Sequence, residues 1–271
     1  MGPLPRRRKM PRQQQPDAIR LSYYKAILPH LAPARAALER VKPEILRLLE
    51  EERRQQGKMD ASRPASAARL VQLASERAAS AFQPRELEAV AKQFGKRTSD
   101  FQQEQLDRQV RAAMSVPLNV IESPIVNSLD TFARENVALI KTVPERYFDR
   151  IQEDVQEAFE SGMHPDELSD LFEERYDMAE NDAMRIVRDQ IGKLNGELNR
   201  ERQEAMGVSR FIWRTVNDNR VRDEHAELDG EEFEWANPPI VDGEAIIPGS
   251  AIQCRCFSEP LFSDLLESSE E

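Results

Sequence analysis

Residues 179–206, AENDAMRIVRDQIGKLNGELNRERQEAM, carry the helical pattern from which the fold can be worked out. Apolar side chains recur at every third or fourth position of this stretch, at Ala183, Ile186, Val187, Ile191, Leu194 and Leu198. That spacing places them on one face of a helix, and Gly207 supplies a residue typical of a helix end. The stretch therefore predicts a long amphipathic helix that buries one face.

Two more helices are predicted just before it. Apolar residues at every fourth position, Tyr147, Ile151, Val155 and Phe159, precede a Ser161-Gly162 stop. A second start follows at His164-Pro165-Asp166, where His164 is expected to be a capping residue, and Leu168, Leu171, Phe172 and Tyr176 share one side of that helix. Residues 128–206 are thus predicted to form a helical body.

The N-terminal half is also predicted to be helical. A helix is expected from Pro33 to Glu52, followed by a linker over 53–66 and amphipathic segments at about 67–82 and 84–95. A polar helix and a proline-interrupted stretch at 115–128 complete a helical N-terminal region over 18–127. The fold class predicted for the whole chain is mainly α.

Composition agrees with a helix-rich protein outside the membrane. The chain has 271 residues, of which 39% are hydrophobic and 32% charged, and only 10 are glycine, too few for a many-turned β-barrel or sandwich. No apolar run approaches the roughly 20 residues that span a bilayer. No apolar core follows the basic N-terminus, so a secretory signal is not expected. An intracellular protein without a membrane partner is the prediction.

Charge is unevenly distributed, although the net value is −11. Residues 1–17 are predicted to be a disordered basic arm, and residues 261–271 an acidic tail. Cations of the arm can neutralise DNA phosphates, in a way that weakens with salt; the alternative is a solvated tail without a ligand. The candidate DNA-binding residues are Arg6, Arg7, Arg8, Lys9 and Arg12.

The pattern changes after Gly207. Phe211–Val216 is β-branched and aromatic and predicts a strand, while Asn217–Asn219 and Asp229-Gly230 are turn sequences. Residues 207–260 are thus predicted to be a small α+β module with few core formers. Trp213 and Trp235 are its expected core anchors. A module this small needs an interaction beyond hydrophobic burial.

Cysteine and histidine offer that interaction. Both cysteines of the chain lie in Cys254-Arg255-Cys256, and His225 lies upstream. A disulfide one residue apart is strained, and rare inside cells. Two thiolates and an imidazole suit structural Zn²⁺, with Asp218, Asp223 or a water as fourth ligand. The spacing differs from that of standard zinc fingers, so buried reduced thiols beside a His225–carboxylate pair remain the alternative.

Two arginines of this module have a predicted structural role. Arg220 and Arg222 are expected to hold loops through charge-assisted hydrogen bonds to acids such as Asp229 or Glu231. Solvated arginines on a turn are the alternative.

An enzyme is the alternative to this interpretation. Asp218, Asp223, Glu224 and His225 resemble the acids and histidine of a metal-dependent nuclease or hydrolase centred on Asp218 and His225, and a cysteine with His225 as base is a second arrangement. However, no second histidine stands at the H-E-x-x-H spacing, and nothing in the sequence marks an oxyanion hole. The prediction is that the protein is not an enzyme.

The same motifs carry a family resemblance. Trp213-Arg214-Thr215, Asp218-x-Arg220-Val221-Arg222-x-x-His225-x-x-Leu228-Asp229-Gly230, Pro248-Gly249 and Cys254-Arg255-Cys256 occur in this order. They resemble the signature of the phage Mu F-like head morphogenesis family. Upstream, Arg185, Arg188-Asp189-Gln190, Lys193-Leu194-Asn195 and Arg202-Gln203 are similar to its long helix. The resemblance covers roughly residues 130–260.

The resemblance implies a minor head protein of a tailed bacteriophage. Its expected location is the head of the virion, after assembly in the host cytoplasm. It implies a structural role in head assembly and the portal protein and the major capsid or scaffold protein as partners. It also allows contact with packaged double-stranded DNA.

Overall fold

A computed structural model describes residues 10–55, 61–114 and 125–262. Within these residues the chain forms long helices followed by a small module of short strands, which confirms the predicted fold class. The elements are α1 (Asp17–Arg54), α2 (Ser62–Ala81), α3 (Pro84–Met114), α4 (Ile125–Ser161), α5 (Pro165–Ala205), β1 (Arg210–Arg214), α6 (Asp223–Glu227), β2 (Glu232–Glu234), β3 (Ile240–Val241), β4 (Glu244–Ala245) and β5 (Phe257–Pro260).

Helix α5 is longer than predicted. The two helices expected on either side of residue 178 are continuous, because Asp177 and Met178 contain no helix breaker. The predicted apolar stripe is buried along the helix, at Ala183, Val187, Ile191, Leu194 and Leu198. Burial of this stripe therefore stabilises one continuous helix, which lies within the family-like region.

Helix α1 corrects the predicted start at Pro33, because it begins at Asp17 and includes Pro29, Pro33 and Pro43. Each proline removes a backbone donor and strains the preceding turn. An apolar stripe at helical spacing continues across all three prolines and is buried, at Ile19, Tyr23, Ile27, Leu31, Leu38, Ile45 and Leu49. Burial of this stripe offsets the local cost of the prolines.

The residues group into two compact units. One unit contains the described parts of 1–21, 92–133 and 188–271, and the other contains those of 22–91 and 134–187. Boundaries at 127 and 206, predicted from the sequence, stay a prediction. None of the described helices combines the length and the apolar character required to cross a lipid bilayer.

The second unit is helical, with a core built on aromatic residues. Tyr23 and Tyr147 are buried, and the Tyr23 hydroxyl contacts the Asn136 side-chain oxygen at 3.1 Å. Asp154, also buried, receives two hydrogen bonds from Arg175, both of 2.8 Å. Burial of apolar stripes, together with the ion pair of Asp154 and Arg175, stabilises this unit.

The first unit contains the strand module. Its three-stranded sheet has the order β2-β1-β5, and both pairings are antiparallel. The central strand β1 aligns Phe211 with Phe233 and Trp213 with Ser258. Strand β1 ends two residues before the predicted end at Val216, and Asn217 turns the chain with a φ of 55°. Sheet and turns place α6 and the cysteine loop beside each other.

Residues 10–16 differ from the predicted disordered arm. Arg12 donates to the Thr215 carbonyl at 2.8 Å, and the buried Gln13 amide contacts Gln109 at 3.1 Å and Asn199 at 3.3 Å. These side-chain hydrogen bonds order a segment that has no secondary structure. Arg6, Arg7, Arg8 and Lys9 lie outside the described residues. So does the predicted acidic tail apart from Leu261 and Phe262, which are buried.

Candidate metal centre

His225, Cys254 and Cys256 meet at one point of the module, as predicted. The Nδ1 atom of His225 lies 3.5 Å from the Sγ atom of each cysteine. The three potential ligand atoms lie within 4.8 Å of one another. All three residues are buried, with exposed fractions of 3%, 7% and 5%. The group is therefore a compact set of two sulfurs and one nitrogen shielded from solvent.

Short elements of the module position these ligands. His225 lies in α6, where the Ala226 amide donates to the Arg222 carbonyl at 2.9 Å. The cysteines follow a turn in which Gln253 has a φ of 57° and the Cys254 amide donates to the Ala251 carbonyl at 3.0 Å. Cys256 directly precedes β5, so its position is fixed by the sheet.

Hydrogen bonds to sulfur favour a charged thiolate at Cys254. The Cys256 amide donates to the Cys254 Sγ at 3.4 Å. Hydrogen bonds from the Cys256 thiol, from His225 and from the backbone of Cys256 and Gly249 lower the pKa of Cys254 to about 4, although burial opposes this. The same pairing, together with burial, raises the pKa of Cys256. A cation that binds both sulfurs would favour the loss of the remaining proton.

The spacing of the three atoms suits a tetrahedral ion. A tetrahedral Zn²⁺ lies about 2.3 Å from a sulfur ligand and about 2.0–2.1 Å from a nitrogen ligand. Its sulfur and nitrogen ligands are therefore about 3.6 Å apart. The observed sulfur–nitrogen separations are 3.5 Å. Thiolate and imidazole ligands also match the preference of Zn²⁺. The group can accordingly hold a metal ion.

Asp218, the predicted fourth ligand, is not part of this group in the described residues. Its carboxylate contacts the Arg255 guanidinium and lies 3.4 Å from Arg220 Nη2. The alternative ligand, Asp223, is exposed in α6. The Asp218 carboxylate, which was predicted to bind the metal, therefore forms an ion pair with Arg255 instead. Through Arg255, Asp218 instead braces the Cys-x-Cys segment.

The predicted partners of the module's arginines also need correction. Arg222 Nη2 donates to the Ile252 carbonyl at 2.6 Å, not to Asp229 or Glu231. Asp229 accepts hydrogen bonds from the Thr215 amide at 2.7 Å and from its hydroxyl at 3.2 Å. The Gly230 amide donates to the Trp213 carbonyl at 2.8 Å, where Gly230 has a φ of 94°. These motif residues do hold loops, but through backbone groups.

Sequence reasoning missed two contacts that fasten the module to α5. A Cβ atom at Gly196 would lie 2.6 Å from the Pro248 carbonyl oxygen, so only glycine permits this approach. The Gln253 amide donates to the Asp189 carboxylate at 2.9 Å. Gly196 and Asp189 both lie within residues 179–206. A glycine inside a strong helical pattern is the signal that could have revealed the first contact.

The geometry does not favour the nuclease alternative. His225 is enclosed by two sulfurs and is 3% exposed, and Asp218 is bound to arginine. A hydrolytic centre needs a metal that substrate as well as water can reach, whereas all three potential ligands here are buried. The arrangement of these residues suits a structural metal ion.

Comparison with known proteins covers the same region. Residues 149–259 match the family described as "Phage Mu protein F like protein". An uncharacterized protein of Haemophilus influenzae is 34% identical over 140 residues, which are 52% of this chain and 31% of that protein. The chain thus spans about a third of the length of this curated relative. No solved structure matches the chain. The resemblance to the phage Mu F-like family that the motifs predicted is therefore confirmed by a family match over residues 149–259.

Proposed function

We propose that this protein is a minor head protein of a tailed bacteriophage with a structural role in head assembly. The observation that carries the proposal is the family match over residues 149–259. This range includes the whole of α5 and the buried group of His225, Cys254 and Cys256. The proposal assigns no catalytic step to the chain.

The module has features of a rigid contact surface. The close approach of Gly196 to Pro248 and the bond from Gln253 to Asp189 fix it on α5. Two large apolar side chains remain on its surface, Ile240 with 74% and Ile252 with 67% exposure. Both side chains are accessible to a partner protein. The portal protein and the major capsid or scaffold protein are the proposed partners.

Zn²⁺ is the proposed occupant of the His225, Cys254 and Cys256 group, with a structural role. The supporting observations are the ligand types, their burial and the 3.5 Å spacing of sulfur and nitrogen. When bound, the ion converts binding energy into folding energy, which a small module needs. A water molecule is the simplest fourth ligand, since Asp218 is bound to Arg255.

Contact with packaged DNA is the proposed role of Arg6, Arg7, Arg8 and Lys9. Arg12 also belongs to the proposed arm, but it is hydrogen-bonded to Thr215. A deletion that tests the arm should therefore stop at residue 9, so that Arg12 and Gln13 keep their contacts. Loss of DNA affinity together with a shallower salt dependence supports the role, and an unchanged affinity removes the arm from it.

The experiment that tests the head role is a comparison of particles with and without the protein. Quantitative mass spectrometry of purified heads should detect the chain in few copies. Particles assembled without the chain should be defective, and a wild-type copy should restore them. A His164→Ala copy should restore them equally well, because His164 is exposed and lies outside the metal centre. Normal infectious heads without the chain would overturn the proposal.

A further inference from the structure

Three arginines lie near enough to one another, beside the cysteine loop, for the charges of two to act on the third. Arg20 lies in the first turns of α1, Arg188 lies one turn before Gly192 on α5, and Arg255 separates the two cysteines. A Cβ atom at Gly192 would lie 3.1 Å from the Nη2 atom of Arg20 and 3.8 Å from the Cys254 carbonyl oxygen. Glycine at this position thus lets one guanidinium lie between α5 and the cysteine loop.

The local charges leave a positive surplus. Arg20 Nη1 donates to Asp17 at 2.9 Å, and Arg255 contacts Asp218. The nearby Asp189 is already bound to Lys193 at 2.9 Å. Among the residues that the structure describes, exposed Arg188 has no hydrogen bond or ion pair. Two carboxylates therefore serve three guanidinium groups.

Arg20 is the group with the greatest need of a further partner. Its side chain is 9% exposed, and its buried Nε atom has no hydrogen-bond partner in the described part of the chain. Burial lowers the pKa of Arg20, and the charges of Arg255 and Arg188 lower it further against the effect of Asp17. A buried cation whose donors are not all used is costly unless an anion supplies acceptors.

We propose that Arg20, Arg188 and Arg255 bind a phosphate group. Guanidinium groups present paired donors that match phosphate oxygens, and each charge-assisted bond is stronger than a neutral one. The phosphate belongs either to a nucleic-acid backbone or to free inorganic phosphate. The assignment of the phosphate to nucleic acid rests on the proposed function, since a head protein meets packaged DNA. The phosphate site itself does not depend on that function.

Arg188→Gln is the variant of choice for the test, because Arg188 is exposed and supports no described contact. The matched control is Arg185→Gln, which removes the same charge three residues earlier in α5, where Arg185 is 74% exposed and pairs with Asp182. The full-length chain is titrated with a short labelled DNA duplex at several salt concentrations, and separately with inorganic phosphate.

The expected result is that Arg188→Gln weakens binding about tenfold, as the loss of one charge-assisted contact does. Arg185→Gln should change binding less than twofold. For the duplex, the salt dependence of Arg188→Gln should fall by about one phosphate contact. Inorganic phosphate should also raise the melting temperature of the wild type by more than that of Arg188→Gln.

The two probes separate the two sources of phosphate. If inorganic phosphate binds and the duplex does not, the site is supported with the free anion as its ligand. The head role is then tested by the particle experiment alone. Binding of the duplex that Arg188→Gln weakens selectively supports the backbone as the ligand. Absence of binding to both probes, or equal losses in Arg188→Gln and Arg185→Gln, overturns the proposal.

Discussion

The indole ring of Trp213 meets the imidazole ring of His225 edge-on, with ring centroids 5.4 Å apart. Trp213 belongs to the central strand of the sheet, and His225 is one of the three potential metal ligands. Both cysteines belong to the same buried apolar cluster as Trp213 and Trp235. The apolar core and the candidate metal centre of the module are therefore one structure, and a change on either side should affect the other.

Trp213→Ala should destabilise the module. The side chain is fully buried, and truncation of a buried tryptophan lowers the free energy of unfolding by about 3–5 kcal/mol. Denaturant unfolding of the full chain measures this loss. Ile240→Ala is the control, since an exposed side chain contributes less than about 0.5 kcal/mol. Equal stability of the two variants would place Trp213 on a partner-binding surface.

His225→Ala should release the metal and destabilise the module. The variant removes one ligand and leaves two buried sulfurs without the imidazole, at an expected cost of at least about 2 kcal/mol. Elemental analysis and thermal unfolding measure the two effects, and a chelator should make the wild type resemble the variant. His164→Ala is the control for metal content, because His164 is exposed at the start of α5, where it accepts a hydrogen bond from the Asp166 amide. A wild-type chain without zinc, or equal metal content in wild type and His225→Ala, contradicts the assignment.

Asp229→Ala should destabilise the turn after α6. Asp229 accepts two hydrogen bonds from Thr215, whose exposed fraction is 1%. An unsatisfied buried donor costs about 1–3 kcal/mol. Asp229→Asn keeps a side-chain oxygen at this position and should lose less than half as much. Thermal unfolding of the two variants compares them, and a neutral Asp229→Ala would mean that water satisfies Thr215.

Features set by residue type and local spacing could be predicted from the sequence. The stripe from Ala183 to Leu198 predicted the buried face of α5, because helical periodicity is a local property. His225, Cys254 and Cys256 could be grouped because a small module with few core formers contains just these soft ligands. Trp213 could be placed in the core by size and apolarity. Each of these inferences needed no knowledge of tertiary contacts.

Contacts that depend on residues distant in the sequence could not be predicted. The chain has 49 acidic residues, so nothing in the sequence indicates that Asp218 contacts Arg255 instead of the metal group. The helical course of α1 through Pro29 and Pro33 depends on the burial of a stripe that outweighs a strong local signal. Ordering of Gln13 depends on Gln109 and Asn199, which are distant in sequence. Polar contacts between distant residues decided the first and the third of these features, and apolar burial decided the course of α1.

Gly196→Ala should destabilise the protein, although helix propensity predicts the opposite. Inside a helix, alanine is favoured over glycine by about 0.8–1.0 kcal/mol. Here the added Cβ would lie 2.6 Å from the Pro248 carbonyl oxygen, a backbone atom with little freedom. Gly249 follows with a φ of 96°, which further restricts movement of the loop. Displacement of this loop should cost about 1–3 kcal/mol, the range of other overpacked sites, and so exceed the gain in propensity.

Asn181→Ala is the control for this prediction, because it raises helix propensity at an exposed position of the same helix. Thermal unfolding should give a lower melting temperature for Gly196→Ala and an equal or higher one for Asn181→Ala. Metal retention should fall only in Gly196→Ala, because the Gly249 backbone also hydrogen-bonds to the Cys254 thiol. If Gly196→Ala stabilised the chain as the control does, the Pro248-Gly249 loop would not rest on α5. The module would then need another attachment to the helix.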